Sequence, residues 1–510
     1  MSNAPDTVQQ KLIRRTLTDY LLYFPAVAIS GVMGLVTVAV LSKFFSPAAY
    51  GHYTLALSTL LFLSMVTALW LRSSVLRLLP QYMAQNQSWA FIGTMLAAGS
   101  LVTVAVVAGY ALVLVRLHPH LDAGLYRLLW LVVPGVPLLT MFTVLQETHR
   151  IRGRAAWYSG LVLWRVLGGF GVGLWLAVRL KWGPAGMVAG LLLVIGGAVA
   201  GHGLAAMPRL PATARQLRYA TPILRDMLAF SLPIVGLNLA STVLAVSDRY
   251  LIEAFLSSYD LGIYAATYSL AEGGMRLIAN TFLIATQPTI FRVWVSAGGE
   301  AACRLVERLF RYYLLLALPA LVGLSVLNRR IVTLFTTPEY AAGAEAMVYV
   351  SLALFLHGYS LLVGTIFDAA KRTMIPFVTF VLAGAMNILL NLLLLPRFGY
   401  MAAAWSTCAG YAFLLGLNLL AVRRITPLHG AGRYVWKIGL AAMGMGGVVW
   451  LAQNWFPLSM GGLAATVALG VVTYVLLALA GGVFRREEQL YLQKIAGRLI
   501  EPLRTDHKPA

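Results

Sequence analysis

The chain has 510 residues, of which 60% are hydrophobic and only 11% charged, and its mean hydropathy is +0.79. Soluble domains hold about 45–50% apolar and 25% charged residues, so this composition excludes a water-soluble globular protein. The net charge of +21 does not indicate nucleic acid, because no basic stripe interleaves with aromatics on a soluble domain.

A polar segment, 1–20, precedes a long apolar first span, the pattern of a retained signal anchor. About 20 apolar residues cross a bilayer as a helix. Windows of that kind recur at 21–42, 50–71, 89–115, 124–147, 156–178, 184–206 and 227–252. Seven more follow at 262–290, 309–328, 344–367, 375–395, 399–422, 433–456 and 460–484. The predicted fold is all-α and polytopic, with about 14 transmembrane helices. An even number puts both termini on one side. Of the 39 Lys and Arg, most of those outside the spans fall on the side of the termini. The positive-inside rule makes that side cytoplasmic. The high pI then reflects topogenic loops facing an anionic leaflet. Cys303 and Cys408 fall in an inner loop and a span, so no disulfide is implied.

The chain repeats itself. "FSPAAYGHYTLALS" (45–58) aligns with "LSSYDLGIYAATYS" (256–269) at an offset of 211, matching Gly51 with Gly262 and Tyr53 with Tyr264. "GPAGMVAG" (183–190) aligns with "GYMAAAWS" (399–406) at an offset of 216. Two six-span units followed by two extra helices fit this spacing. The expected segments are 1–20, a first lobe over 21–206, a basic linker over 207–226 and a second lobe over 227–422. Helices 13 and 14 follow over 423–484, then a cytoplasmic tail over 485–510. Because six is even, both units run the same way, related by an axis along the membrane normal with a cavity between lobes.

A few charges sit inside the spans, where a charge costs about 3 kcal/mol on insertion scales. In span eight, Tyr264, Tyr268, Glu272, Arg276 and Asn280 recur at i, i+4. Glu272 and Arg276 lie roughly 15 and 21 Å from the outer end. Their pairing alone would offset the cost of burial, but the polar stripe is longer than a pair needs, which favours a cavity wall. In span seven, Ser231, Asn238, Thr242, Arg249 and Glu253 share one face; Arg249 either lines a cavity or snorkels outward, with Asp248 beside it. Arg165 lies near mid-span in span five with no acid within one turn, a functional candidate by position. Arg72 and Arg77, at the inner end of span two, serve topology or an inner-leaflet entrance for an anionic lipid head. His357 in span ten reads either as a core residue or as a proton-coupling site. Asn387 and Asn391 read either as interhelical glue or as ligands.

Catalytic readings find no support. There is no Gly-Lys dipeptide and hence no Walker A loop, no HExxH, no CxxC and no GxSxG with partners. The expected protein is not an enzyme and uses no cofactor or metal.

"SLPIVGLNLASTVLAVSDRYLIEAFLSSYDLGIYAATYSLA", "FFSPAAYGHY" and "NILLNLLLLPRFGYMAAAWST" resemble segments of Wzx-type polysaccharide flippases. These belong to the superfamily that includes multidrug (MATE) exporters and the lipid II flippase. The resemblance covers nearly the whole chain. It implies alternating access in a bacterial inner membrane, carrying an oligosaccharide on an undecaprenyl pyrophosphate anchor from the cytoplasmic to the periplasmic leaflet. Implied partners are the lipid-linked oligosaccharide, membrane lipids and polysaccharide-assembly proteins such as a polymerase. The lipid II flippase has arginines in its first span; "LLYFPAVAISGVMGLVTVAVLS" has none, which argues against that substrate. Under this reading Arg165, Arg276 and Arg249 face the pyrophosphate or acidic sugars. The rivals are a MATE-like drug or cation antiporter, which would present acids instead, and a non-transporting subunit of an exopolysaccharide synthase complex.

Overall fold

The computed structural model describes residues 25–26, 28–206, 218–425 and 432–483. The expected segments 1–20 and 485–510 and much of the linker 207–226 lie outside them. Every regular element among the described residues is helical, as a lipid environment requires, since helices satisfy their backbone groups internally. The first half comprises α1 (Ala28–Phe44), α2 (Pro47–Ala84), α3 (Ser88–Leu117), α4 (Ala123–Ile151), α5 (Ala155–Val178) and α6 (Pro184–Ala206). The second begins with α7 (Thr221–Phe255) and continues through Ser258–Val326, which is two helices, α8 (258–297) and α9 (299–326). They are joined at Gly298, whose φ of +82° breaks the helix. Then come α10 (Ala344–Ala369), α11 (Met374–Phe398), α12 (Met401–Arg423), α13 (Gly432–Ala452) and α14 (Met460–Ala480). The protein is therefore a multi-pass membrane protein with fourteen helices of 17 residues or more among the described residues, besides the short helix Asn328–Phe335.

Helices outrun their apolar windows. α2 continues past residue 71 and carries Arg72 and Arg77 as helical residues. The stretch 291–308, expected as a loop, is helical on both sides of Gly298. Apolarity marks the part of a helix that meets lipid, whereas backbone hydrogen bonding continues into the polar ends.

The last two helices pack outside the first twelve. Leu314 and Leu315 of α9 form a buried cluster with Ile438, Ala441, Met445 and Tyr474. Tyr474 donates to the Leu315 carbonyl at 3.0 Å, and Arg311 donates to the Val483 carbonyl at 2.7 Å. Arg330 donates to the carbonyls of Gln453, Phe456 and Pro457, fixing the turn between α13 and α14.

The two halves meet at residues that the internal repeat matches. Ser46 caps α2 by accepting the Ala49 N–H at 3.4 Å, and Ser257, 211 positions later, caps α8 by accepting the Asp260 N–H at 3.1 Å. Five residues after each cap comes a glycine with no room for a side chain. A methyl group on Gly51 would run into the Ser258 carbonyl, and one on Gly262 into the Pro47 carbonyl. Pro47 and Ser258 are themselves repeat mates, so the contact is reciprocal. Around it, Tyr340 donates to the Phe45 carbonyl at 2.9 Å and Ser42 to the Phe335 carbonyl at 3.2 Å. At the opposite end, α2 and α3 are tied to the start of α7. Tyr82 donates to Asp226 at 2.6 Å, and the Ala220 N–H donates to Thr94 at 2.9 Å.

Backbone at van der Waals contact cannot absorb a methyl group as a flexible side chain would. Overpacking costs about 1–3 kcal/mol. Gly262→Ala is expected to lower the thermal midpoint of the purified protein measurably, whereas Gly197→Ala, where the added atom meets open space, leaves it unchanged. Equal midpoints for the two variants would contradict the close crossing.

Candidate functional site

Beneath the glycine crossing lies a cavity of about 740 Å³, lined by α1, α2, α4, α5, α7 and α8. Along α2 it runs from Tyr50 and Tyr53 to Arg72, roughly 28 Å from Tyr53 at helical rise. Small residues of α1, namely Ser30, Gly31 and Gly34, form its near wall opposite Gly273 and Leu277 of α8.

Four arginines and two glutamates line this cavity: Arg72, Arg165, Arg249 and Arg276 against Glu147 and Glu272. The net charge of the lining is +2. On α8, the i, i+4 spacing brings Arg276 Nη2 onto Glu272 Oε1. The pair is asymmetric: the arginine side chain stays 54% exposed and the glutamate 22%, so the guanidinium keeps donors free for a ligand. Asn280, one turn on, lines the same wall.

Arg249 enters from α7. Its Nη1 donates to Ser58 Oγ of α2 at 2.6 Å, and its guanidinium lies 5.5 Å over the Tyr268 ring. The Asp248 carboxylate makes no ion pair with this guanidinium among the described residues. That carboxylate turns into the second half, where it accepts the Arg249 backbone N–H at 2.8 Å, the Tyr264 hydroxyl at 2.5 Å and the Thr407 hydroxyl at 3.4 Å. Nor does Arg249 snorkel to the helix end; it lines the cavity.

Arg165 sits in a π-helical turn, Trp164–Gly168, within α5. Such turns widen the helix by one residue and reorient its side chains, and they recur at functional sites. The indole N–H of Trp164 donates to the Val194 carbonyl of α6 at 2.9 Å, which pins the turn from the other side. Among the described residues, neither Arg165 nor Arg249 has a carboxylate within ion-pair distance.

At the far end, Arg72 Nε lies 2.7 Å from Glu147 Oε1, and Arg150 Nη1 lies 3.6 Å from Oε2 of the same carboxylate. Glu147 is 3% exposed. Arg72 is thus both a cavity residue and half of an interhelical ion pair.

The other sequence candidates lie elsewhere. Asn238 donates to the Ile234 carbonyl of its own helix at 2.8 Å and is not part of the cavity wall. Tyr268 is buried and supports Arg249 from behind. Arg77 is exposed and outside the lining. His357 also lies outside it, stacked on Tyr411 with centroids 4.4 Å apart and edge-on to Phe380. Asn387 and Asn391 are buried; Ser247 donates to Asn387 Oδ1 at 3.2 Å, and the Asn391 amide donates to the Asn387 carbonyl at 3.0 Å. They join α7 to α11 and do not reach the cavity. Sequence reasoning passed over Glu147, Ser58, Gln146 and Tyr158, which do line it. An acid close to the basic run "HRIRGR" was the available signal for Glu147.

A family model for polysaccharide biosynthesis proteins matches residues 17–294. Over 169 residues the chain is 28% identical to the probable lipid II flippase MurJ of Thermotoga maritima, covering 32% of this chain and 34% of that one. Over 124 residues it is 24% identical to an uncharacterized membrane protein of Methanocaldococcus jannaschii, covering 24% of each. The chain thus spans 34% and 24% of the length of these two curated relatives. The solved structure of lipid II flippase MurJ in an inward closed conformation superposes with a TM-score of 0.70 at 16% identity, over 90% of this chain and 98% of that one. An inward-facing MATE family multidrug resistance transporter of the MOP superfamily superposes with a TM-score of 0.60 at 12% identity, over 79% and 98%. At these identities the likeness is one of fold.

Removing Arg72 leaves the buried Glu147 with only Arg150, 3.6 Å away, and an under-compensated buried charge is destabilising. Arg72→Ala is therefore expected to destabilise the protein strongly, and adding Glu147→Gln should restore most of the lost thermal midpoint. A double variant no more stable than Arg72→Ala alone would show that Arg72 acts through something other than this pair.

Proposed function

The chain belongs to the polysaccharide biosynthesis protein family, and on that premise we propose that it is an inner-membrane flippase for an undecaprenyl-pyrophosphate-linked oligosaccharide. It moves the repeat unit from the cytoplasmic to the periplasmic leaflet by alternating access. One observation carries the reading: the cavity between the halves is lined by four arginines and two glutamates, and two of the arginines have no carboxylate partner among the described residues. Cations in a low-dielectric cleft concentrate anions, and a planar guanidinium matches a phosphate oxygen pair. The relatedness to a probable lipid II flippase supports a lipid-linked substrate. The first helix carries no arginine over 28–44, so the head group is read by α5, α7 and α8 instead.

Roles follow from position. Arg72 and Glu147 stand at the inner-leaflet end, where a pyrophosphate head first meets the cavity. Arg165 and Arg276 hold it at mid-depth, and Arg249 receives it nearer the crossing. A cycle requires that the head bind the two facing states with different affinity. The same fold serves a multidrug transporter, but a cavity of net positive charge suits an anion and not an organic cation.

Arg165→Ala is expected to reduce flipping by at least tenfold with normal expression. Arg276→Ala removes a cavity charge and also leaves Glu272 unpaired, so the Glu272→Ala, Arg276→Ala double variant separates the two effects. We expect it to express normally and not transport; wild-type transport by this variant would make the pair structural. Arg276→Lys keeps the charge but loses the fork, and partial activity is expected. In cells, loss of the protein should leave lipid-linked repeat units on the cytoplasmic face. Failure to assemble the lipid-linked sugar at all would make the protein a synthase subunit.

A further inference from the structure

A second cavity, of about 760 Å³, lies on the other side of α2. The helical period divides α2 between the two. Tyr53, Thr54, Leu57 and Ser58 face the arginine-lined cavity, while Leu55, Thr59, Phe62 and Leu63 face the second, and the two linings share no residue. Opposite walls come from Val113 and Leu114 of α3 and from Val243 and Val246 of α7. The cavity is apolar along its length and polar at one end, where His120, Asp122 and Glu253 gather. That end lies on the side of the glycine crossing, the outer side in the proposed topology.

The seam between α2 and α7 separates the two spaces, and adjacent residues hold it from both sides. Arg249 donates to Ser58 at 2.6 Å on the charged side. One residue along each helix, the hydroxyls of Thr59 and Tyr250 hydrogen-bond at 3.1 Å on the apolar side. Parting α2 from α7 at these two contacts joins the cavities.

We propose that the second cavity holds the isoprenoid chain of the lipid-linked substrate while its pyrophosphate occupies the first, with the α2–α7 seam as the slot between them. This rests on the flippase reading. An apolar pocket has no intrinsic preference for a chain already in lipid, because lipid tails are as apolar as Leu. Selectivity arises from the tether: a chain whose head is bound next door presents itself at a high effective concentration. The rim disfavours the competing occupant, a phospholipid hung by its phosphate from the outer surface. The backbone N–H groups of Leu125 and Gly124, which Asp122 caps, hold its carboxyl below the usual range, so it is anionic at neutral pH. Glu253 Oε2 is buried without a hydrogen-bond partner among the described residues. The Asp122 carboxylate at the rim repels a phosphate there, so the chain enters from the cavity side.

The test uses the full-length protein in liposomes and two photoactivatable lipids carrying the same mid-chain diazirine: a polyprenyl pyrophosphate and a phosphatidylcholine. At equal mole fraction, the pyrophosphate lipid is expected to label Leu63, Val113 and Val246 roughly tenfold or more over the phosphatidylcholine. Excess inorganic pyrophosphate should remove the difference. Equal labelling by the two lipids would overturn the proposal. Head-group binding is scored separately, by retention of each lipid through purification. A pyrophosphate lipid that is retained but labels other helices overturns this site alone, and one that is not retained overturns the flippase reading as well.

Discussion

Everything else in the molecule is arranged around the crossing of α2 and α8. In a bilayer there is no hydrophobic gain from bringing helices together, so association depends on close packing and hydrogen bonds, and small residues allow the closest approach. Here a serine cap and a glycine five residues later occur once in each half, and each glycine lies against the first turn of the other helix. The same short pattern therefore starts the helix and sets how near its mate can come. That contact closes one end of the space between the halves and leaves the arginine-lined cavity below it.

The charges in that cavity differ in how they are held, and the difference suggests a division of labour. Arg72 is locked to a buried glutamate on another helix and contributes to architecture as well as to the lining. Arg276 has a partner on its own helix, which lowers the cost of placing it in the membrane while its side chain stays 54% exposed. Arg249 is oriented by a hydroxyl and an aromatic ring, neither of which cancels its charge. Arg165 is positioned by backbone geometry, a π turn pinned by its neighbouring tryptophan. Arg165 and Arg249 are thus oriented without an ion pair among the described residues, which suits the anion site proposed.

Much of this was legible in the sequence, and the rest was not for identifiable reasons. Fourteen helices followed from apolar windows, because the bilayer imposes a length on each. The shared wall of Glu272, Arg276 and Asn280 followed from the helical period. Direction around the helix axis was harder to read. Asn238 shares a face with Arg249 on an ideal wheel, yet its amide bonds to its own helix. His357 lies within the second half, stacked on Tyr411 and outside the cavity lining. A π turn shifts every later residue of α5, and no periodicity reveals it. Glu147 and Arg72 are 75 positions apart, and only the packing of α2 on α4 brings them together.

The central claim is that the cavity recognises an anionic lipid head through its arginines, and ligand charge is the variable that isolates it. Binding of a polyprenyl pyrophosphate, the matching monophosphate and the uncharged alcohol to the purified protein would test this most directly, since the three share one chain and differ only in the head. The account predicts that affinity falls steeply from pyrophosphate to monophosphate to alcohol, and that added salt weakens the first most. Equal affinity for all three, or tighter binding of an organic cation, would contradict it.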